Sequence, residues 1–211
     1  MILKVLLLTT TALLSSSLFF GSAMAIPTGG FIGLNLGYSQ IAKNLSTTTG
    51  ITSTVDRNKK VTGGISLGSQ SDSDFGIYFS ADYLGQQNTN LVYTTKSGNF
   101  RATYYDLSAM ADLSYTLGNK LSVFFAGGAA YVASRTSGTA NALSVKKNAT
   151  WWRPKATVGA DFSLTDQFAI GASYSYIFGY GKINNLLTSE NGKDYLPNIS
   201  VASVNFIYTL A

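Results

Sequence analysis

Two consecutive runs of alternating residues constrain the fold of this chain more than any other feature. From Pro154 to Leu164 every second residue is Pro, Ala, Val, Phe or Leu, the residues between them are Lys, Thr, Gly, Asp and Ser, and Arg153 comes directly before the run. After the polar break Thr165–Gln167 the pattern starts again and continues to Phe178. Alternation with period two is typical of a strand whose faces meet different environments. The stretch Trp152–Phe178 therefore predicts an antiparallel hairpin.

The length of these strands and the composition favour a barrel in a membrane. Each strand has about eleven residues, which suits a tilted strand that crosses a bilayer. Only 12% of the residues are charged, whereas about a quarter are charged in soluble proteins. After the N-terminal segment no apolar run of about 20 residues occurs, which excludes a bundle of spanning helices. Because lipid offers the backbone no hydrogen-bond partners, a sheet in lipid must close on itself.

The first 25 residues predict export. Lys4 supplies a positive charge, Val5–Leu14 an apolar region, and Ala23-Met24-Ala25 a small-x-small cleavage site at Ala23 and Ala25. Thr and Ser residues interrupt the apolar region, which makes it a poor membrane anchor. The chain has no cysteine, so disulfides and a lipid-anchored N-terminus are excluded. We expect residues 1–25 to form a signal peptide and residues 26–211 one barrel domain.

The same alternation recurs along the chain and predicts eight strands. Their connections alternate between long and short, as in an up-and-down barrel. The fold class predicted is all-β: an eight-stranded antiparallel up-and-down transmembrane β-barrel with short periplasmic turns, long extracellular loops and both termini periplasmic. The predicted strands are about Phe31–Gln40, Lys60–Gln70, Phe75–Gln86, Phe100–Thr116, Leu121–Ser134, the two strands of Trp152–Phe178, and Asn198–Leu210.

Charged residues within the strands share the parity of the polar face. A Lys or Arg that faces lipid at mid-membrane costs about 2–4 kcal/mol, so these charges are expected to face the lumen. The lumen of an eight-stranded barrel is just wide enough for side chains, and opposite charges in it should pair. The pattern predicts either an ion-paired plug or a gate that conducts when a pair breaks. The predicted network is Asp82, Asp106, Asp112, Arg153, Lys155 and Asp161.

Aromatic residues are concentrated at the predicted strand ends. Tyr and Trp favour the membrane–water boundary, so the pattern predicts two girdles, although β-propensity alone also enriches aromatics in strands. The girdle on the turn side comprises Phe75, Tyr115, Phe168 and Tyr208. The girdle on the loop side comprises Tyr38, Tyr83, Tyr104, Tyr105, Tyr131, Trp151, Trp152, Tyr176 and Tyr180.

In this pattern the chain resembles the small bacterial outer-membrane barrels: the OmpA N-terminal domain, OmpX and the opacity-type surface antigens. The segment Val204–Leu210 is similar to the C-terminal signal that the outer-membrane assembly machinery recognises in such proteins. That signal commonly ends on a terminal aromatic, whereas this chain ends Tyr208-Thr209-Leu210-Ala211. The resemblance implies an outer-membrane location, lipopolysaccharide as a neighbour and, from the opacity-type members, surface adhesion.

Catalysis and cofactor binding find no support in the sequence. Enzymes that resemble this family in fold use a catalytic His as general base, and the chain contains neither His nor Cys. Metal sites of the usual His and Cys type are excluded for the same reason. Asp72 and Asp74 offer a weak cation site, but turn formation explains them better. We therefore expect no enzyme, no cofactor and no metal site.

The predicted extracellular loops are strongly basic. Eleven basic residues face three acidic ones, Asp56, Glu190 and Asp194, an excess of eight positive charges. Such a field favours anionic partners: lipopolysaccharide of the same membrane or anionic ligands on a host surface. No nucleic-acid motif is present. The basic set is Lys43, Arg57, Lys59, Lys60, Lys96, Arg101, Arg135, Lys146, Lys147, Lys182 and Lys193.

The sequence thus predicts a non-enzymatic outer-membrane barrel that acts as a surface-exposed structural and interaction protein of the surface-antigen or adhesin type. The alternative is a narrow, porin-like channel for small polar solutes. A secreted β-sandwich is a third interpretation, but it would not need aromatic girdles.

Overall fold

The computed structural model describes residues 29–42, 51–55, 60–71, 74–93, 96–140, 143–180 and 196–210. Within these ranges no helix is long and apolar enough to cross a membrane. The predicted signal peptide with Ala23 and Ala25 lies outside them. The strands are Gly29–Ile41 (β1), Ile51–Val55 (β2), Lys60–Gln70 (β3), Phe75–Tyr93 (β4), Lys96–Leu117 (β5), Leu121–Ala140 (β6), Leu143–Ser163 (β7), Phe168–Ile177 (β8) and Ile199–Thr209 (β9).

Eight of the strands form a closed barrel. The antiparallel sheet has the order β2-β4-β3-β1-β9-β8-β7-β6-β5, and a further pairing of β4 with β5 closes the ring. Among the described strands, the short β2 pairs only with the outer part of β4, Thr89–Tyr93, and it is not one of the eight strands of the ring. The predicted eight-stranded antiparallel barrel is confirmed, since every neighbouring pair in the ring is antiparallel.

Three short connections lie at one end of the barrel, which we call the turn end. They connect β3 to β4, β5 to β6 and β7 to β8. Gly118 has a φ of 69°, a left-handed conformation that glycine adopts without steric cost. In the third turn the Thr165 hydroxyl accepts a hydrogen bond of 3.0 Å from the Phe168 amide. The opposite end, toward which the long strands β4–β7 extend, is the loop end.

Side chains alternate between the outside and the lumen along each strand. Ile32, Leu34 and Leu36 on β1 are 44–49% exposed, while Ser39 on the other face is fully buried. Phe79 on β4 and Leu113 on β5 are each 63% exposed. Large apolar groups on the outer surface of a closed barrel are the pattern expected for contact with lipid. The apolar faces therefore lie where the alternation predicts them.

Four strands are much longer than a bilayer crossing requires. β4, β5, β6 and β7 contain 19, 22, 20 and 21 residues, whereas about 9–11 residues span the hydrocarbon core. The segments Asn88–Asn99 and Arg135–Thr150 were expected to be loops, and this expectation is wrong for most of each segment. Apolar–polar alternation ends where both faces meet water, but the hydrogen-bonded ladder continues beyond that point.

A β-bulge in β4 lies at Leu84, a large apolar residue that faces the lumen. The register of β4 against β5 shifts between Tyr83 and Gly85, so that Leu84 is the extra residue. Gly85 has a φ of 97°, which a side chain would disfavour. Leu84 is 1% exposed, and its carbonyl accepts a hydrogen bond from the Ser39 hydroxyl. Leu84 thus adds an apolar group to the inside of the barrel, and the bulge reverses the inward parity of the residues that follow it, so that Gln87 faces inward and Gln86 outward.

Candidate functional site

All six residues of the predicted lumen network lie at inward-facing positions of their strands. Asp106 is 1% exposed, Asp161 5%, and Asp112 and Lys155 each 7%. Asp82 and Arg153 are partly buried. All six side chains thus lie on the face of the sheet away from lipid. The contacts among them, however, divide the six into three separate groups.

The first group is centred on Lys155, and we call it the lysine network. The Lys155 ammonium lies 2.6 Å from Asp106 Oδ2 and 3.4 Å from Asp82 Oδ2. Asp82 and Asp106 are direct partners across β4 and β5, so one cation holds two opposed carboxylates. Ser80 donates a 2.9 Å hydrogen bond to Asp82, and Ser108 donates 2.7–2.8 Å bonds to Asp106. Lys155 also donates to Ser108 over 2.9 Å. Each buried charge in the network has a partner.

Arg153 does not join that network. One of its terminal nitrogens donates a 3.2 Å hydrogen bond to the carbonyl of Trp152. The guanidinium carbon lies 5.1 Å from the centre of the Tyr180 ring, a cation–π distance. No ion pair joins Arg153 to a carboxylate in the part of the chain that the structure describes. Sequence parity could not separate it from Lys155, because the two residues share one face of β7.

Asp112 and Asp161 form the third group, toward the turn end. Both line a cavity of about 110 Å³ in the lumen, and Lys155 is the one basic residue among the described residues of that lining. Among the residues described, neither carboxylate has an ion-pair partner. The cavity is otherwise lined mainly by polar and small side chains, including Asn35, Ser66, Gln70, Tyr78 and Ser173. A space of this size holds several water molecules.

Three of the lumenal aspartates lie directly opposite a glycine on the neighbouring strand. The pairs are Gly64 with Asp82, Gly76 with Asp112, and Gly171 with Asp161. A Cβ added to these glycines would lie 2.0, 2.4 and 1.8 Å from an oxygen of the facing carboxylate. The glycines therefore provide the space for the carboxylates. Sequence reasoning missed this relation because it depends on the register between strands.

An apolar cluster fills the lumen on the loop side of the lysine network. On β4, Leu84 lies two residues beyond Asp82 toward the loop end, and on β5 Tyr104 lies two beyond Asp106. On β7, Trp151 lies four residues beyond Lys155. The cluster comprises Ile41, Leu84, Tyr104, Ala130, Val132, Ala149, Trp151, Ile177, Leu196 and Ile199.

Two members of the predicted loop-side girdle belong to this cluster instead. Tyr104 is 4% exposed and Trp151 is 7% exposed, so the prediction that they face the membrane boundary is wrong. Each is next in sequence to an outward aromatic, Tyr105 or Trp152. Consecutive residues of a strand point to opposite faces, so one residue of each pair must face the lumen.

Four of the remaining loop-side aromatics, Tyr83, Tyr105, Tyr131 and Trp152, form a row around β4–β7, which we call the aromatic row. Tyr83 and Tyr105 have ring centres 5.7 Å apart, and Tyr131 and Trp152 have ring centres 5.1 Å apart. Trp152 is 67% exposed. On the turn side of this row the outer face is apolar, and on the loop side it is polar. This change is expected where a barrel leaves the hydrocarbon core.

The predicted basic residues are divided between strands and undescribed segments. Arg101, Arg135 and Lys146 are exposed on the outer face of β5, β6 and β7, beyond the aromatic row. Arg101 and Lys146 both pair in register with Ser137, so one rung of the sheet carries two of the three. We call this surface the basic wall. Lys147 faces inward, and Lys60 and Lys96 begin β3 and β5. Outside the described residues lie Lys43, Arg57, Lys59, Lys182 and Lys193.

Solved barrels of other bacteria share this architecture. Neisserial surface protein A has a TM-score of 0.54 at 13% identity, with 87% of this chain and 98% of that chain covered. OprG of Pseudomonas aeruginosa has a TM-score of 0.57 at 12% identity, covering 88% and 99%. The outer membrane protein AlkL has a TM-score of 0.52 at 11% identity, covering 92% and 96%. At such identities the likeness shows the fold alone.

Sequence comparison gives the family. An uncharacterized protein of Coxiella burnetii (strain RSA 493 / Nine Mile phase I) is 28% identical over 128 residues, which are 53% of this chain and 48% of that protein. The match thus spans about half the length of that relative. The model of the outer membrane protein beta-barrel domain matches residues 11–208. The chain therefore belongs to the outer membrane protein beta-barrel domain family and is an integral outer-membrane protein.

Proposed function

We propose that this protein is a non-enzymatic surface barrel whose basic wall binds anionic groups at or just outside the membrane surface. The observation that carries the proposal is the exposure of Arg101, Arg135 and Lys146 on adjoining strands beyond the aromatic row. In this proposal the loop end is extracellular and both termini are periplasmic. Residues 1–25 are the signal peptide, and residues 26–211 the barrel domain.

The position of the basic wall suits contact with phosphate groups. Arg135 lies four residues beyond Tyr131 on β6, which is about 14 Å along a strand and about 10 Å in height at a tilt of 45°. Arg101 lies at the same separation from Tyr105 on β5. If the aromatic row marks the edge of the hydrocarbon core, both guanidinium groups lie in the headgroup layer or just above it.

The charge of the wall is unbalanced. The outward positions that the structure describes beyond the aromatic row on β4–β7 are Asn, Gln, Ser, Thr, Ala, Arg and Lys, without an acidic residue. A Lys or Arg near an anionic surface contributes roughly 1 kcal/mol, so three contribute about 3 kcal/mol. That free energy corresponds to about a hundredfold in affinity. Two sources share the chemistry: lipopolysaccharide phosphates and soluble sulfated polysaccharides.

The test replaces Arg101, Arg135 and Lys146 together by Gln and uses Lys120→Gln in an exposed turn as the control. Binding of lipopolysaccharide and, separately, of heparin is titrated with the protein in neutral nanodiscs at low and high salt. We expect the triple variant to bind about a hundredfold more weakly at low salt, and salt to weaken the wild type. The ligand whose binding is weakened in the triple variant, lipopolysaccharide or heparin, identifies the source of the anionic groups. Equal binding by the triple variant and wild type in both arms would refute the proposal.

The lumen supports a scaffold role. The lysine network and the apolar cluster occupy its loop half, and the long strands hold the basic wall outside the bilayer. The chain contains no His or Cys to serve as a catalytic base or thiol nucleophile. The barrel then acts by presenting a charged surface.

A narrow channel for small polar solutes is the second candidate, and the polar cavity in the turn half favours it. In this alternative the apolar cluster is the barrier to permeation. Conductance of the refolded protein in planar bilayers distinguishes the two, with Trp151→Ala beside the wild type. Discrete openings in the wild type that increase in the variant would support a channel. Stable insertion without conductance in the wild type supports the scaffold.

A further inference from the structure

Two buried polar groups at adjoining positions of the lumen lack a partner. Ser122 on β6 and Asp161 on β7 are direct cross-strand partners and both point inward. Ser122 is 0% exposed and Asp161 is 5% exposed. Neither Ser122 Oγ nor Asp161 Oδ1 has a hydrogen-bond partner among the described residues. Burying such groups unpaired is costly, and adjacent orphan oxygens indicate that a further group belongs between or beside them.

The surroundings of these oxygens are electronegative. Asp112 lines the same cavity as Asp161. Lys155, the basic residue of the lining, is already held by Asp82 and Asp106 at 3.4 and 2.6 Å. The carboxyl groups of Asp112 and Asp161 in the turn half of the lumen thus have no described cation as an ion-pair partner. Neutral oxygen donors, such as the side chains of Tyr78 and Gln70, complete the polar lining.

We propose that the turn half of the lumen binds a hydrated divalent cation, Mg²⁺ or Ca²⁺, at Asp161 and Ser122. Hard cations of this kind take oxygen ligands, and both oxygens at this position are unsatisfied. Asp112 supplies the second negative charge that balances a divalent ion. Gly171, opposite Asp161, leaves the carboxylate its space, since an added Cβ would lie 1.8 Å from Asp161 Oδ1.

The ion keeps part of its water shell. The described residues contain no group of three or more Asp, Glu, His or Cys side chains that could hold a metal ion. Mg²⁺ in particular retains several waters and is commonly bound through one or two carboxylates. The cavity of about 110 Å³ has room for those waters. The site is independent of the basic wall, which lies on the other face and at the other end of the barrel.

Terbium luminescence tests the site, because Tb³⁺ takes the same oxygen ligands and is sensitised by nearby tyrosine. Tyr78 lines the cavity and can serve as the donor. The refolded full barrel is titrated with Tb³⁺ in a neutral, phosphate-free detergent, and Mg²⁺ and Ca²⁺ are then added as competitors. The variants are Asp161→Asn and Ser122→Ala. Asp166→Asn, in an exposed turn, is the matched control.

We expect saturable emission from the wild type and from Asp166→Asn that Mg²⁺ or Ca²⁺ displaces. The affinity of Asp161→Asn for Tb³⁺ should fall by about tenfold or more, and the affinity of Ser122→Ala for Tb³⁺ should also fall. Folding of each variant is checked by its migration in unheated gels, and if Asp161→Asn does not fold, Ser122→Ala decides. Absence of emission in the wild type overturns the proposal. Equal emission from wild type and the lumen variants overturns it too, because the ion would then bind surface carboxylates.

Discussion

The two halves of the lumen contain the same acidic residue in different surroundings. In the loop half, Asp82 and Asp106 share Lys155 and accept hydrogen bonds from Ser80 and Ser108. In the turn half, no Lys or Arg within the described ranges forms an ion pair with Asp112 or Asp161. All four carboxylates point into the barrel for one reason, the cost of charge in lipid. Whether each carboxylate has a basic partner inside the barrel does not follow from that cost.

On this difference we propose different roles for the two halves. The loop half is internally satisfied and backed by the apolar cluster, so its charges stabilise the folded barrel. The turn half has two carboxyl groups without a described ion-pair partner and a cavity beside them, and we propose that it takes up a group from outside. A charged lumenal residue therefore does not by itself indicate a gate or a site. The presence or absence of a partner within hydrogen-bond distance decides between structural and binding roles.

Lys155→Met should give the largest effect, because it removes the cation and keeps the shape of the side chain. Asp106, whose side chain is fully buried, and Asp82 would then face each other without compensation. Removing one partner of a buried ion pair costs about 3–5 kcal/mol. The measurement is the free energy of unfolding by urea in lipid vesicles. Lys120→Met in the exposed turn is the control and should stay within about 0.5 kcal/mol of the wild type. If the free energy of unfolding of Lys155→Met fell by no more than that of the control, the lysine network would contribute little to stability.

Gly171→Ala should give an intermediate effect in the turn half. The added Cβ would lie 1.8 Å from Asp161 Oδ1 and 2.7 Å from the Ala160 carbonyl oxygen, so backbone as well as side chain must shift. Overpacking of this kind costs about 1–3 kcal/mol. Gly127→Ala is the matched control, since nothing lies within 4 Å of its added Cβ. Equal unfolding free energies for the two variants would contradict the close approach of Gly171 to Asp161.

The sequence was sufficient for the barrel itself and for the inward direction of its charges. Lipid demands apolar residues on one face of each strand, and parity then places Asp106 or Lys155 without any knowledge of the fold. Parity carries no information about partners. Arg153 and Lys155 lie on the same face of β7, yet only Lys155 reaches Asp82 and Asp106. That choice depends on the register of β7 relative to β4 and β5.

The features that sequence reasoning missed have a common physical origin. Beyond the aromatic row both faces of a strand are polar, so alternation no longer marks β5 around Arg101 or β6 around Arg135. The bulge at Leu84 changes parity by one residue, and only the backbone of Gly85 reveals it. The inward direction of Trp151 follows from strict alternation next to Trp152. A rule that assigns both tryptophans to one girdle breaks that alternation.

The smallest expected effect is a difference in tryptophan fluorescence quenching. It shows whether the loop half of the lumen is sealed from lipid. Trp151 is 7% exposed inside the barrel and Trp152 is 67% exposed outside it, and these are the two tryptophans of the chain. Trp151→Phe leaves Trp152 alone, and its fluorescence should be strongly quenched by brominated lipid. Trp152→Phe leaves Trp151 alone, which should be protected from brominated lipid and from aqueous acrylamide, since it packs within the apolar cluster. Equal quenching of the two variants by lipid would contradict the opposite directions of these side chains. Strong quenching of Trp151 by acrylamide alone would show that water enters the loop half. That result would support the alternative that the barrel is a channel.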